Sequence, residues 1–443
     1  MRTGSGPCET MGQTRHTHPR KGIGMDLSID QKLHGFTVRT REELPEIDGT
    51  AFVLDHGKSG AKLLYLQNDD TNKAFSISFK TPPADDTGVF HILEHSVLCG
   101  SDKFPVKEPF VNLLKSSMQT FLNAMTFPDK TMYPVASTND QDLLNLMDVY
   151  LDAVLHPAIY HKRAIFEQEG WHYELAGDME ADEGDAVAGD AVAQTEAADG
   201  QARLALNGVV YNEMKGALSD PNSVLYDELQ AALFPDTAYR FESGGTPRAI
   251  PDLTYEQFLE EHRRHYRLDN SYLTLYGDVD IDVVLAFLDQ EYLSPVADEQ
   301  AAATGIGAEG APLGPHELAL QAPVCALGVA KNMATAPENA CMGLGYVLGT
   351  ARERTRMVAA DILIDALMGS NEAPLKRALL DADLADDAQA FLADALLQPF
   401  AVIQLKGLKE GAAERFKGVV DDTLRRLADG GLDHALVEAS LSR

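Results

Sequence analysis

Cysteine is scarce in this chain. Its 443 residues hold four, namely Cys8, Cys99, Cys325 and Cys341, with no CxxC pair among them. That excludes a disulfide framework and a thiolate zinc site, and it fits a reducing compartment; the expected location is cytoplasmic. Basic side chains are also short: 37 Lys and Arg stand against 68 Asp and Glu, for a net charge of -31. A surface so acidic repels nucleic acid, which excludes DNA and RNA as expected partners, and attracts basic, extended peptides at long range. No apolar run approaches the roughly 18 residues that a membrane span needs, so no membrane partner is expected. The first 24 residues have no apolar core and are not a secretory signal. They read as part of a disordered leader over 1–34, with Met25 a candidate start. Neither a P-loop, a GxSxG elbow nor a dinucleotide fingerprint occurs.

What is present suffices for a folded protein. A hydrophobic fraction of 45% supplies a core, and the length allows about two to three domains. Folded sequence is expected from Gly35. Short strands are read at 51–55, 61–67 and 74–80, the last (AFSISFK) alternating apolar and polar as a half-buried strand does. Helices are expected over 87–98 with Thr87 as cap, and over 108–118, 139–155, 207–219, 254–265 and 281–292. Residues 120–126 and 131–135 read as a strand pair around the turn at 127–130, and 271–276 as a further strand. The acidic, Ala- and Gly-rich stretch 176–201 reads as an exposed, mobile insertion, and 294–315 as an interdomain linker. Beyond it, helices over 354–368 and 412–428 flank a strand at 400–405. Strands mixed with helices, without a strict βαβ rhythm, favour an α+β fold.

The sharpest chemical signal is His91-Ile92-Leu93-Glu94-His95. On a helix, residues four apart share a face, so both imidazoles can grip one metal ion while Glu94 stands beside that face. Zinc lowers the pKa of a bound water to about 7, and a neighbouring carboxylate can take its proton and pass it to a leaving amine. The HxxEH order inverts the HExxH zinc signature. A catalytic zinc needs a third protein ligand. Glu108, Glu167, Glu169, Glu174 and Glu213 are candidates, and local spacing does not choose among them. Cys99 has no evident activating partner and reads as buried and inert. The Gly244-Gly245 pair reads as a turn, and His156, His161, His172, His262 and His265 as surface or core residues.

The stretch from His91 through HSVLCGSDKFPVKEPFVNLLKSSMQTFLNAMTFPDKTMYPVAST closely resembles the presequence protease branch of the pitrilysin and insulysin metallopeptidases, the inverzincins. FEQEGWHYEL, NGVVYNEMKG and SGGTPRAIPDLTYEQF look like further blocks of that branch, in the same order. The resemblance implies a mitochondrial-processing-peptidase-like fold: two homologous layered domains of mixed sheet covered by helices. The first would be a catalytic domain over 35–293, and the second, over 316–443, would be incomplete. It implies zinc as cofactor, held by His91, His95 and Glu213, and Glu94 as general base. It also implies an edge strand around Asn123, Ala124 and Met125 on which peptide substrates lie. Many relatives outside the branch carry a glutamate seven residues before the third ligand. Leu206 stands there, so that role is not carried over. Family members close two such halves as a clamshell, so a C-terminal half is the expected partner. The expected function is zinc metalloendopeptidase action on short unfolded peptides; the alternative is a truncated or non-catalytic peptide-binding half.

Overall fold

The computed structural model describes residues 25–106, 115, 117–176, 203–304 and 318–442. The first sheet takes β1 (Lys32–Leu33), β2 (Phe36–Leu44), β3 (Gly49–His56), β4 (Lys62–Gln67), β5 (Lys73–Lys80), β6 (Gln119–Leu122), β7 (Met125–Thr126), β8 (Lys130–Ser137) and, from later in the chain, β11 (Ser271–Tyr276). Their order is β1-β2-β3-β4-β11-β5-β8-β6, with β7 also paired to β8. All neighbours are antiparallel except β4 and β11. The expected alternation holds in β5, where Phe75, Ile77 and Phe79 point into the core.

Helices cover this sheet with apolar stripes facing it, save Pro221–Leu233, which packs on a second sheet. They are α1 (Val89–Val97), α2 (Asp140–Leu155), α3 (Arg163–Glu169), α4 (Val209–Ala217), α5 (Pro221–Leu233), α6 (Tyr255–His265), α7 (Ile281–Phe287) and α8 (Ser294–Thr304). Ile92 and Leu93 of α1, Leu146 and Tyr150 of α2, Phe258 of α6 and Leu285 of α7 share one core with Leu63, Tyr65 and Phe75 of the strands. Side chains fix several starts: Asn139 accepts the Asp142 N–H, and Thr254 and Gln257 form a reciprocal cap. Between α3 and α4, β9 (His172–Ala176) and β10 (Arg203–Asn207) form an antiparallel hairpin.

A second, three-stranded sheet runs β12 (Cys341–Val347), β14 (Phe400–Leu408), β13 (Ala385–Ala393). It is covered by α9 (Arg354–Met368), α10 (Pro374–Asp381), α11 (Ala412–Gly430) and α12 (His434–Leu441). Leu367, Leu375, Leu405, Phe416 and Val420 form its core. Helix α5 joins the two halves. A Cβ on Gly343 or Gly345 of β12 would lie 2.8 Å from Leu229 or 2.7 Å from Leu233 of α5, so glycine there lets helix and strand approach. Phe234 and Tyr239 pack with Phe400 and Val402. The Tyr239 hydroxyl donates to Asp129 at 2.6 Å and accepts the Leu397 N–H at 3.0 Å, bridging the β7–β8 turn and the β13–β14 connection.

Several expectations change. Order begins before Gly35: Leu27 is buried and β1 pairs with β2, so residues 25–34 of the expected leader are tied to the sheet. Residues 1–24 lie outside the described residues. The expected linker opens as helix α8, because its Ala, Glu and Gln favour helix and Val296 is buried; its residues 305–315 are not described. The helix expected over 281–292 divides at Phe287, after which Leu288–Leu293 winds more widely into α8. The expected helix over 207–219 is shorter, since Asn207 ends β10. The helix expected over 108–118 lies largely outside the described residues, as does the acidic insertion from residue 177 on. Among the described residues, no helix is long and apolar enough to cross a membrane.

Tyr239→Phe should destabilise the protein by about 1–3 kcal/mol, because it leaves the buried Asp129 and the Leu397 N–H without their shared partner. Chemical denaturation checks this, and an unchanged unfolding midpoint would remove the bridge from the energetics.

Candidate metal site

Helix α1 does not start at a side-chain cap. Thr87, the expected cap, instead spends its hydroxyl on Asp85 at 2.6 Å. The helix starts from Gly88, whose φ of 66° is left-handed, a conformation that favours glycine. Glycine is required there twice over, since a Cβ would lie 2.4 Å from the Gly244 carbonyl oxygen. From this start His91 and His95 project from one face, with ring centroids 5.0 Å apart and planes nearly perpendicular.

Each imidazole has its Nδ1 occupied. His91 Nδ1 donates to the Gly244 carbonyl at 3.1 Å. His95 Nδ1 lies 3.4 Å from a carboxylate oxygen of Glu169, a buried residue at the end of α3. Both Nε2 atoms therefore face inward. They converge on the same oxygen of Glu213, on α4, at 3.8 Å from His91 and 3.7 Å from His95. Ligand atoms of His91, His95 and Glu213 all lie within 4.8 Å of one another. In tetrahedral zinc sites with bonds of about 2.0–2.2 Å, neighbouring ligand atoms sit about 3.3–3.6 Å apart, so the trio closes on an ion by a contraction of at most about 1.5 Å. Three lone pairs aimed at one point also repel unless a cation or a proton lies between them. Burial opposes a charge on His95, but the Glu169 contact and the carboxylates of Glu94, Glu169 and Glu213 outweigh it and raise its pKa.

Glu94 lies on the same helix and is 8% exposed. The hydroxyl of Thr126, at the end of β7, donates to its Oε2 at 2.7 Å, so one carboxylate oxygen is held. Asn123, Ala124 and Met125 directly precede Thr126, on the outer side of β8 at the sheet margin. The run is broken there: β6 ends at Leu122, and the Asn123 N–H reaches the Pro134 carbonyl at 3.2 Å before β7 resumes.

The other acids separate cleanly. Glu167 pairs with Arg163 on the helix surface, and Glu174 bonds Asn207 across the hairpin. Glu108 lies outside the described residues. Cys99 is half-buried rather than buried, its thiol pointing at the His95 carbonyl and Glu169 Oε1 at 3.5 Å each. His262 and His265 are core residues, and burial lowers the pKa of His262 to about 3. The role of Gly244 escaped the sequence, where a double glycine signals only a turn.

Two family models match the chain: "Insulinase (Peptidase family M16)" over residues 81–206 and "Peptidase M16 inactive domain" over 252–443. The chain is 43% identical to Protein HypA of Clostridium perfringens and 38% identical to Presequence protease 1, chloroplastic/mitochondrial, of Arabidopsis thaliana. Each match covers 95% of this chain. The chain belongs to the insulinase (M16) family, as a presequence-protease-like member. It spans only 40% and 36% of those two relatives' lengths. A solved M16 inactive domain from Pseudomonas fluorescens has the same fold at 13% identity, with a TM-score of 0.59 over 88% of this chain and 82% of that one. The α+β layers of mixed sheet under helices are thus the M16 fold, and the HxxEH helix of this family member falls inside its matched insulinase segment.

Glu213→Gln should weaken zinc binding more than Glu169→Gln, for which a loss of about 10–100-fold is expected from removing a histidine's partner. Chelator competition on both variants measures this. Undiminished affinity in Glu213→Gln would shift the third ligand to another acid, Glu169 first.

Proposed function

We propose that this site holds one zinc ion through His91 Nε2, His95 Nε2 and Glu213, and that it hydrolyses peptide bonds in short unfolded peptides. The observation that carries the reading is the convergence of two Nε2 lone pairs and a carboxylate oxygen beside a half-restrained glutamate. Bound zinc would supply Lewis acidity and a water acidified toward neutral pH. The residues of the chain do the rest. His91 and His95, oriented by Gly244 and Glu169, would present their Nε2 atoms to the ion. Glu94, with Oε2 held by Thr126, offers its other oxygen to take a proton from the attacking water and return it to the leaving nitrogen.

Substrate placement follows from the sheet margin. An extended peptide can add as a strand beside Asn123, Ala124 and Met125, through main-chain hydrogen bonds that ignore side-chain identity. Thr126 continues that segment and touches Glu94, so a peptide registered on the edge is registered on the base. The net charge of -31 favours basic peptides in encounter.

A second reading, that this part of the protein needs a covering half for turnover, is supported by exposure. The Glu213 side chain is 54% exposed, and relatives carry more than twice this length. Catalysis of this kind gains from water exclusion, so the zinc-loaded chain alone should be a weak peptidase. Supplying a matching second half in trans should restore turnover.

Glu94→Gln should keep its zinc and lose about 10²–10⁴-fold in kcat toward an unstructured fluorogenic peptide, assayed with that second half present. Chelation should abolish cleavage and zinc should restore it. Wild-type rates in the variant would exclude Glu94 as the base, and chelator-insensitive cleavage would exclude the metal mechanism.

A further inference from the structure

The loop at 242–246 contributes no metal ligand, yet it touches both helices that do. A Cβ on Gly245, where φ is 89°, would lie 2.8 Å from Gly88 Cα at the start of α1. On the other side, a Cβ on Gly244 would lie 2.7 Å from the Met214 terminal methyl, next to Glu213 on α4. Between them the Gly244 carbonyl takes the His91 Nδ1 proton. The position of that carbonyl decides where the His91 ring points.

One residue pins the loop by three hydrogen bonds. The Glu242 N–H donates to Asp86 Oδ1 at 2.9 Å. The Glu242 carbonyl accepts the Gly245 N–H at 3.0 Å. Its carboxylate Oε1 accepts the Gly244 N–H at 2.8 Å. A fourth bond, from the Thr246 N–H to the Asp86 carbonyl at 2.9 Å, closes the loop against the segment leading into α1. Asp227 of α5 stands against the Glu242 carboxylate. Burial, then the charge and hydrogen bonding of Glu242, push the Asp227 pKa well above the usual carboxylate range, so the two acids face each other as a close pair. The loop is thereby also tied to the helix that packs on β12.

We propose that Glu242 is a positioning residue for the metal site: by holding the Gly244 backbone, it fixes the carbonyl that orients His91 and keeps its Nε2 on the metal side. The glycines are there because the loop must pass between α1 and Met214 with no side chain of its own. Glu242 supplies from its side chain the rigidity that two adjacent glycines lack. The partner that orients a ligating histidine acts on metal affinity, and Glu242 acts on that partner.

This inference rests on the zinc reading above, and the test separates the two. Zinc affinity of the full chain is measured by competition with a chromophoric chelator, alongside the melting temperature of the metal-free protein. Glu242→Ala should lose about tenfold in zinc affinity. Glu242→Gln, which keeps an acceptor for the Gly244 N–H and gains a donor for Asp227, should return to within about threefold of wild type. Asp86→Ala, which removes only the bond to the Glu242 N–H, gives a second and milder loosening should Glu242→Ala fail to fold. Wild-type affinity in folded Glu242→Ala or Asp86→Ala overturns the proposal, as does a Glu242→Gln variant as weak as Glu242→Ala. Failure of the zinc reading shows differently, as no dependence of affinity on Glu213 in the wild-type background.

Discussion

Two imidazole Nε2 atoms, each within 4 Å of one carboxylate oxygen of Glu213 and all three within 4.8 Å of one another, form the interaction around which the rest of the site is arranged. Such an arrangement is costly by itself, because lone pairs face lone pairs in a half-buried place. It persists because the Nδ1 side of each ring is engaged. Gly244 and Glu169 settle which nitrogen looks inward, and α1, α3, α4 and the 242–246 loop hold those partners in place. The same frame explains the glycines at 88, 244 and 245: each stands where a Cβ would push the 242–246 loop away from a ligand-bearing helix.

The large sheet serves this frame. Its margin strands end beside α1, and Thr126 links the place where an extended peptide could add to the carboxylate proposed to act on it. The turn after Thr126 is not free to drift. Its Asp129 is buried and bound by Tyr239, whose ring belongs to a cluster shared with the second sheet. Packing of α5 on β12 and the Asp227–Glu242 contact make a second route from that sheet to the metal site. The second half of the chain thus reaches the site through two separate paths, one through the Tyr239 hydrogen bonds and one through α5 packing, while none of its described residues belongs to the His91, His95 and Glu213 group.

Much of the site was legible because it is local. HxxEH is a helical spacing, and i, i+4 geometry needs only a helix to become a shared face; α1 supplies it. The strands at β3, β4, β5 and β11 were legible for the same reason, each carrying its own two-residue period. Glu213 was not, because its approach to His91 depends on packing between α1 and α4, and only family resemblance singled it out from the other acids. Gly244 and Glu242 were invisible for a different reason. A backbone carbonyl carries no residue code, and a turn signal says that the chain reverses without saying what it reverses against. Composition misled at residues 294–304, where the Ala-rich run read as a linker packs as a helix. It misled again at Thr87, where a good capping residue bonds Asp85 and leaves the cap to glycine.

X-ray absorption at the zinc edge of the zinc-loaded chain tests the central claim most directly. The expected spectrum has one bound zinc with two imidazole nitrogens at about 2.0–2.1 Å and oxygen ligands at about 2.0–2.2 Å, and it loses one imidazole in His91→Ala and in His95→Ala alike. A sulfur ligand at about 2.3 Å, or a first shell unchanged by both substitutions, would place the metal elsewhere and contradict the site.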